Sequence, residues 1–182
     1  MVDDVITFDV AWYFSLVIAG VLGVAITTAA NLATTVYLHR GLSHRALTFS
    51  RPARGAFRLV LWLTTGIRPR QWVAVHRKHH AHTDTIEDPH SPVIHGWWKV
   101  QVRNYAMYRR AARDVTNTER FAKDLPADRF DKVLFDRALL GLGTGISILV
   151  LLFGPLIAVA AAVVHLKYYI AANSAVNAIG HH

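Results

Sequence analysis

The 182-residue sequence contains no cysteine, which excludes disulfides, thiolate metal ligands and a cysteine nucleophile. Any metal must therefore be held by histidine, carboxylate or amide side chains. Charge is missing from two long stretches: no Asp, Glu, Lys or Arg occurs from Val10 to Leu38 or from Ala138 to Leu166. About 20 such residues cross the hydrocarbon core of a bilayer, so both stretches are predicted to insert in a membrane. A cleaved signal peptide would begin with basic residues, whereas the first stretch is preceded by Asp3, Asp4 and Asp9. There is no internal repeat and no low-complexity segment.

Charge is concentrated between the apolar stretches. Of 20 Lys and Arg, 19 lie from Arg40 to Arg137, and the other is Lys167. Basic loops stay on the cytoplasmic side, so residues 40–137 are predicted to be cytosolic and the N-terminus to face out. The net charge of +8 then needs no nucleic-acid partner. Beside a membrane it suits anionic headgroups or a phosphate-bearing substrate.

The expected fold is all-α: a single domain over 1–182 with about three membrane spans and a cytosolic helical cap that carries a metal site. Residues 10–38 read as one span, about 43 Å long at 1.5 Å per residue, with Gly41 as its stop. Residues 53–66, apolar but broken by Arg54 and Arg58, read as an interfacial helix. Residues 70–82 read as a helix after Pro69, residues 83–95 as turns, and residues 97–137 as further cytosolic helices. Residues 138–180, interrupted at Gly154-Pro155, are predicted to form a hairpin of two short spans. Such a hairpin returns the chain to the cytosolic side.

Eleven histidines are present, and most of them cluster at the edges of these stretches. His39 and His44 follow the first one. His76, His79 and His80 lie in the next helix, with His82 just beyond, and Asn177, His181 and His182 close the sequence. Positions i, i+3 and i+4 share a helix face, so His76, His79 and His80 can point at one place, as can Asn177 and His181. His39 and His44 are about 140° apart around an α-helix, and converge only if the helix ends between them, which Gly41 allows. Convergent imidazoles are hard to explain by packing, because each needs a hydrogen-bond partner; as metal ligands they are ordinary. Five box histidines plus His181 exceed the four or so ligands that close a zinc site, and suit two irons. His165, inside the second stretch, reads as a core residue with its hydrogen bonds satisfied. His90 and His95 read as loop residues that do not touch the metal.

The spacing His39–His44 resembles the HxxxxH box, and His76–His80 the HxxHH box, of the integral-membrane fatty acid desaturase family. The stretch from Trp72 to Asp84 and the segment Glu87-Asp-Pro-His-Ser-Pro92 are similar to bacterial acyl-CoA and acyl-lipid desaturases, and Asn177–His181 resembles the NxxxH motif. The resemblance runs from about Leu38 to the end. It implies an oxidoreductase of fatty acid metabolism in a bacterial inner membrane, with its catalytic face in the cytosol. Two iron ions and dioxygen would desaturate a fatty acyl-CoA or acyl-lipid, using electrons from an external donor such as ferredoxin or cytochrome b5. His39, His44, His76, His79, His80 and His181 would be iron ligands, with Asn177 acting through a water. His82, Asp84, Asp88, His90 and His182 would support the site.

Two departures stand out. The family has two spans before its first box, where this sequence holds one, and its third box, a second HxxHH, has no counterpart within residues 1–182. The expectation is a C-terminally incomplete desaturase domain, inactive by itself if so. A related alkane, sterol or carotenoid hydroxylase would share the histidines but not the DPHSP segment and the NxxxH motif. A metal transporter would carry its ligands inside the spans.

Overall fold

A computed structural model describes the backbone from Val2 to Ile179 and side chains from Trp12 onward. His181 and His182 lie outside the described residues. All regular structure among the described residues is helical. The elements are α1 (Val2–Leu32), a π-helical segment (Ala33–Ser43), α2 (Arg51–Thr64), α3 (Pro69–Ala81), α4 (Pro92–His95), α5 (Trp97–Arg113) and α6 (Val115–Phe121). A short π-helical turn (Asp131–Phe135) and α7 (Ala138–Ile179) complete the order.

Two helices are long and apolar enough to cross a membrane, Trp12–Ser43 and Ala138–Ile179. Their surfaces are not those of core helices. Leu139 is 85% and Leu151 84% exposed, which is costly in water and favourable in lipid.

α7 is not straight. Gly154 has φ 79° and ψ 162°, and Pro155 follows; that positive φ favours glycine, and proline has no N–H to continue the ladder. The carbonyl of Leu63 lies against Gly145, while that of its neighbour Thr64 accepts from His165 Nε2 at 2.9 Å. Positions 145 and 165 would be about 30 Å apart on a straight helix, so the chain folds back at Gly154.

The second arm of α7 runs alongside α1 in the same direction. Gly23 gives close passage to Ala161 and Val164. Beyond it Thr27 meets His165 Nδ1 at 3.0 Å, Thr34 meets Tyr169 at 2.8 Å and Asn31 accepts from Asn173 at 3.0 Å. His165 thus uses both ring nitrogens to tie α1, α2 and α7 together. Inside apolar surroundings each such bond spares a polar group from burial without a partner.

The core lies beneath the histidines. Ala33, Tyr37 and Leu38 of the π-helical segment pack on Leu61 of α2, with Phe49 and Phe57 at the edge. Tyr37 stacks on Phe57 at 5.5 Å and meets Phe49 edge-on at 5.7 Å, the offset geometries aromatic pairs prefer. Arg58 pins the 128–131 segment to α2 through Asp128 at 2.7 Å and Asp131 at 2.5 Å, and its guanidinium sits 4.3 Å above the Phe135 ring.

Candidate metal centre

The first histidine pair is positioned by a change of winding, not by a break. The helix does not stop at Gly41. It widens to π geometry over Ala33–Ser43, and the His44 N–H donates to the His39 carbonyl five residues back at 3.0 Å. Bonding from i to i+5 winds the helix more loosely than an α-helix and narrows the angle between residues five apart, so the HxxxxH spacing falls on one face of a continuous helix. The rings end 4.5 Å apart, centroid to centroid. Gly41 has a different task from the expected one: a side chain there would collide with the Phe49 ring.

The second pair comes from α3. Pro69 opens this helix, where its missing N–H costs nothing. His76 and His80, one turn apart, have their Nε2 atoms 3.1 Å from each other, and His76 Nε2 is 3.3 Å from His44 Nε2. One donor atom from each of His39, His44, His76 and His80 lies within 4.8 Å of all the others. Nitrogens bound to one ion at about 2.0–2.1 Å lie no more than about 4.2 Å apart, so side-chain shifts of a few tenths of an ångström would close this quartet on a metal. Trp72 stacks on His76 at 4.8 Å and 15° and walls that side. His44 and His80 are exposed, so the quartet is open to the surface at these two rings.

Electrostatics keep the rings fit for coordination. Burial, with the neighbouring imidazoles of His80, His39 and His44, pushes His76 down to about 2. Burial, then His79 and His44, lowers His80 as well. Both rings are therefore neutral near pH 7, as a metal requires.

His79 does not join them. Although it lies between His76 and His80 in sequence, its Nδ1 is 2.9 and 3.0 Å from the two oxygens of Asp88, and its ring stacks on His90 at 4.6 Å. His79, Asp88 and His90 form a second group with metal-ligand spacing. Burial works against the Asp88 carboxylate, but hydrogen bonds from His79 and from the N–H groups of His90 and Asp84 outweigh it and hold the acid below its ordinary range.

The other expected site residues scatter. His82 ends α3 and pairs with Glu87 at 3.2 Å. Asp84 accepts from Ser91 Oγ at 2.7 Å. Asn177, on the second arm of α7, donates to Asn104 of α5 at 3.2 Å. His95 ends α4, and His181 and His182 are not among the described residues.

Arg77 carries a function that spacing did not reveal. It donates to the carbonyls of Leu42 at 2.7 Å and Ser43 at 3.2 Å, at the end of the first box, to Phe121 at 2.9 Å, and to Asp124 at 2.5 and 3.2 Å. Lys78 turns the other way, to Asn117 at 3.1 Å. The two cations between the box histidines thus dock α3 onto its neighbours.

The fatty acid desaturase family model matches residues 15–182, nearly the whole chain. This chain belongs to the fatty acid desaturase family. Curated relatives agree over shorter stretches. The chain is 37% identical over 76 residues to the Delta-9 desaturase-like 2 protein of Arabidopsis thaliana, covering 42% of this chain and 25% of that protein. It is 42% identical over 65 residues to an acyl-CoA C20 Delta5-desaturase of Anemone leveillei, covering 36% and 20%. It is 32% identical over 117 residues to an sn-1 stearoyl-lipid 9-desaturase of Anabaena variabilis, covering 63% and 41%. The chain therefore spans between 20% and 41% of the length of these three desaturases. No solved structure matches it. Membership places the chain in a membrane-bound oxidoreductase class, and the two histidine groups are consistent with a metal site there.

Proposed function

We propose that this chain carries the histidine-box region of a desaturase that removes two hydrogens from a long-chain fatty acyl substrate at two irons. The carrying observation is the quartet of His39, His44, His76 and His80, four imidazoles converging from two elements at the end of an apolar helix. His79 and His181 complete the proposed ligands, with Asn177 acting through a water. The donor set fits iron: imidazoles satisfy it, and no thiolate is present to favour another metal. When bound, the irons would supply dioxygen activation, with electrons from an external donor such as a ferredoxin or cytochrome b5.

The chain's own residues hold and orient. The widened helix aims His39 and His44, α3 aims His76 and His80, and Trp72 shields one flank. In this reading the membrane is crossed three times, by Trp12–Ser43 and by the two arms of α7, with α2 along the interface. That brings Asn177, near the end of α7, back to the cytosolic side with both boxes, where an acyl chain of a CoA thioester or lipid arrives from the bilayer.

Gas chromatography of total fatty acids tests this reading. The complete protein is expressed with an electron donor in a host without its own desaturase. A new unsaturated acid is expected with the wild-type protein and its loss with His76→Ala. An unchanged fatty acid profile, with iron-loaded wild-type protein in the membrane, would overturn it.

A further inference from the structure

We infer that Asp88 is a positioning residue that turns His79 away from the quartet and assigns it to the second metal. The inference rests on the two-iron reading. Helical spacing does not sort the three histidines of the second box, since i, i+3 and i+4 fall on one face. The loop after α3 does the sorting. It curls back and places a carboxylate that is 2% exposed against His79 Nδ1, at 2.9 and 3.0 Å.

The loop is built around that contact. The Asp84 N–H donates to one Asp88 oxygen and the His90 N–H to the other, each at 3.1 Å. Asp84 itself adopts φ 59°, a conformation asparagine and aspartate tolerate better than other residues. Its side chain accepts from Ser91 Oγ at 2.7 Å, and that same oxygen caps α4 by accepting from the N–H groups of Val93 and Ile94 at 3.2 Å. A buried carboxylate is costly unless fully hydrogen-bonded, and here it is held by main-chain donors on both oxygens.

Those bonds also decide between Asp88 as a ligand and Asp88 as a support. A carboxylate offers about four lone-pair sites, and His79, Asp84 and His90 occupy at least three. What remains suits an acceptor that fixes an imidazole. With Nδ1–H donated to Asp88, Nε2 becomes the nitrogen through which His79 coordinates. The stacked His90 ring holds the imidazole plane. The quartet already supplies the four or so protein ligands one ion takes, so His79 belongs to the other.

The test is iron binding by the complete protein in detergent, titrated with ferrous iron and read as bound iron per polypeptide by mass spectrometry. Wild-type protein should fill two sites. Asp88→Ala should leave one site unchanged and weaken the other by about ten- to a hundredfold, the usual effect of removing a carboxylate behind a ligating histidine. Asp88→Asn, whose amide oxygen still accepts the Nδ1–H, should recover part of that loss. Adding Asp88→Ala to His79→Ala should cost nothing further, because both act on one site. Two wild-type sites in Asp88→Ala, or equal weakening of both, would overturn the assignment. A wild-type protein that takes up only one iron would instead overturn the two-iron reading on which it rests.

Discussion

His44 and His76 come from different boxes, 32 positions apart in sequence, yet their Nε2 atoms lie 3.3 Å apart. One imidazole–imidazole contact is too weak to hold two chain segments together against chain entropy. The holding force comes from the next residue. Arg77 spans from the Leu42 and Ser43 carbonyls to Asp124 and fastens α3 to the end of the first box.

Replacing Arg77 by lysine should therefore loosen the site without removing a ligand. Lysine keeps the charge but lacks the planar fork that serves several acceptors at once. The expected result is about a tenfold or greater loss of iron affinity in chelator competition, with helix content unchanged by circular dichroism. Wild-type affinity in Arg77→Lys would contradict this role.

Gly41→Val should act through Phe49. The added side chain meets the Phe49 ring, and overpacking of this kind typically costs about 1–3 kcal/mol. Because Gly41 lies between His39 and His44, iron affinity should fall together with thermal stability. Trimming the neighbour in Gly41→Val/Phe49→Leu should restore part of both losses, since residues in contact couple. Simple additivity of the two changes would show that they do not touch.

Much of this was legible in the sequence. The charge-free stretches marked both long helices, Gly154-Pro155 marked the fold-back, and the box spacings marked the histidines that gather. What was hidden depended on tertiary partners. No residue pattern announces π winding, so His39 and His44 were expected to converge across a break at Gly41. Separation of His79 from His76 and His80 depends on Asp88 returning from a loop, which helical spacing cannot express. Arg77 read as one more basic residue because its partner Asp124 is 47 positions away.

The clamp between Arg58 and the 128–131 segment should depend on pH. The hydrogen bond from Arg58 holds Asp128 down to about 2. A folded-state value below the unfolded one of about 3.9 means the clamp contributes fully above about pH 4 and fades as pH falls toward 2. The difference in melting temperature between wild type and Asp128→Asn should therefore be constant near neutrality and vanish on acidification. A difference that grows in acid would reverse the sign and refute the assignment.

The absence of cysteine makes topology directly measurable. Ile86, 87% exposed in the loop after α3, and Phe153, beside the fold-back, can each be replaced by a single cysteine. With intact cells and an impermeant maleimide, Phe153→Cys should label at once and Ile86→Cys only after permeabilisation. The opposite pattern would invert the proposed orientation.

The central claim is that imidazoles hold the iron, and X-ray absorption at the iron edge of the loaded, complete protein tests it most directly. The account predicts a first shell dominated by nitrogen, with the outer-shell scattering of imidazole rings and no sulfur, and weaker ring scattering in His76→Ala. A first shell of oxygen without ring scattering would contradict it.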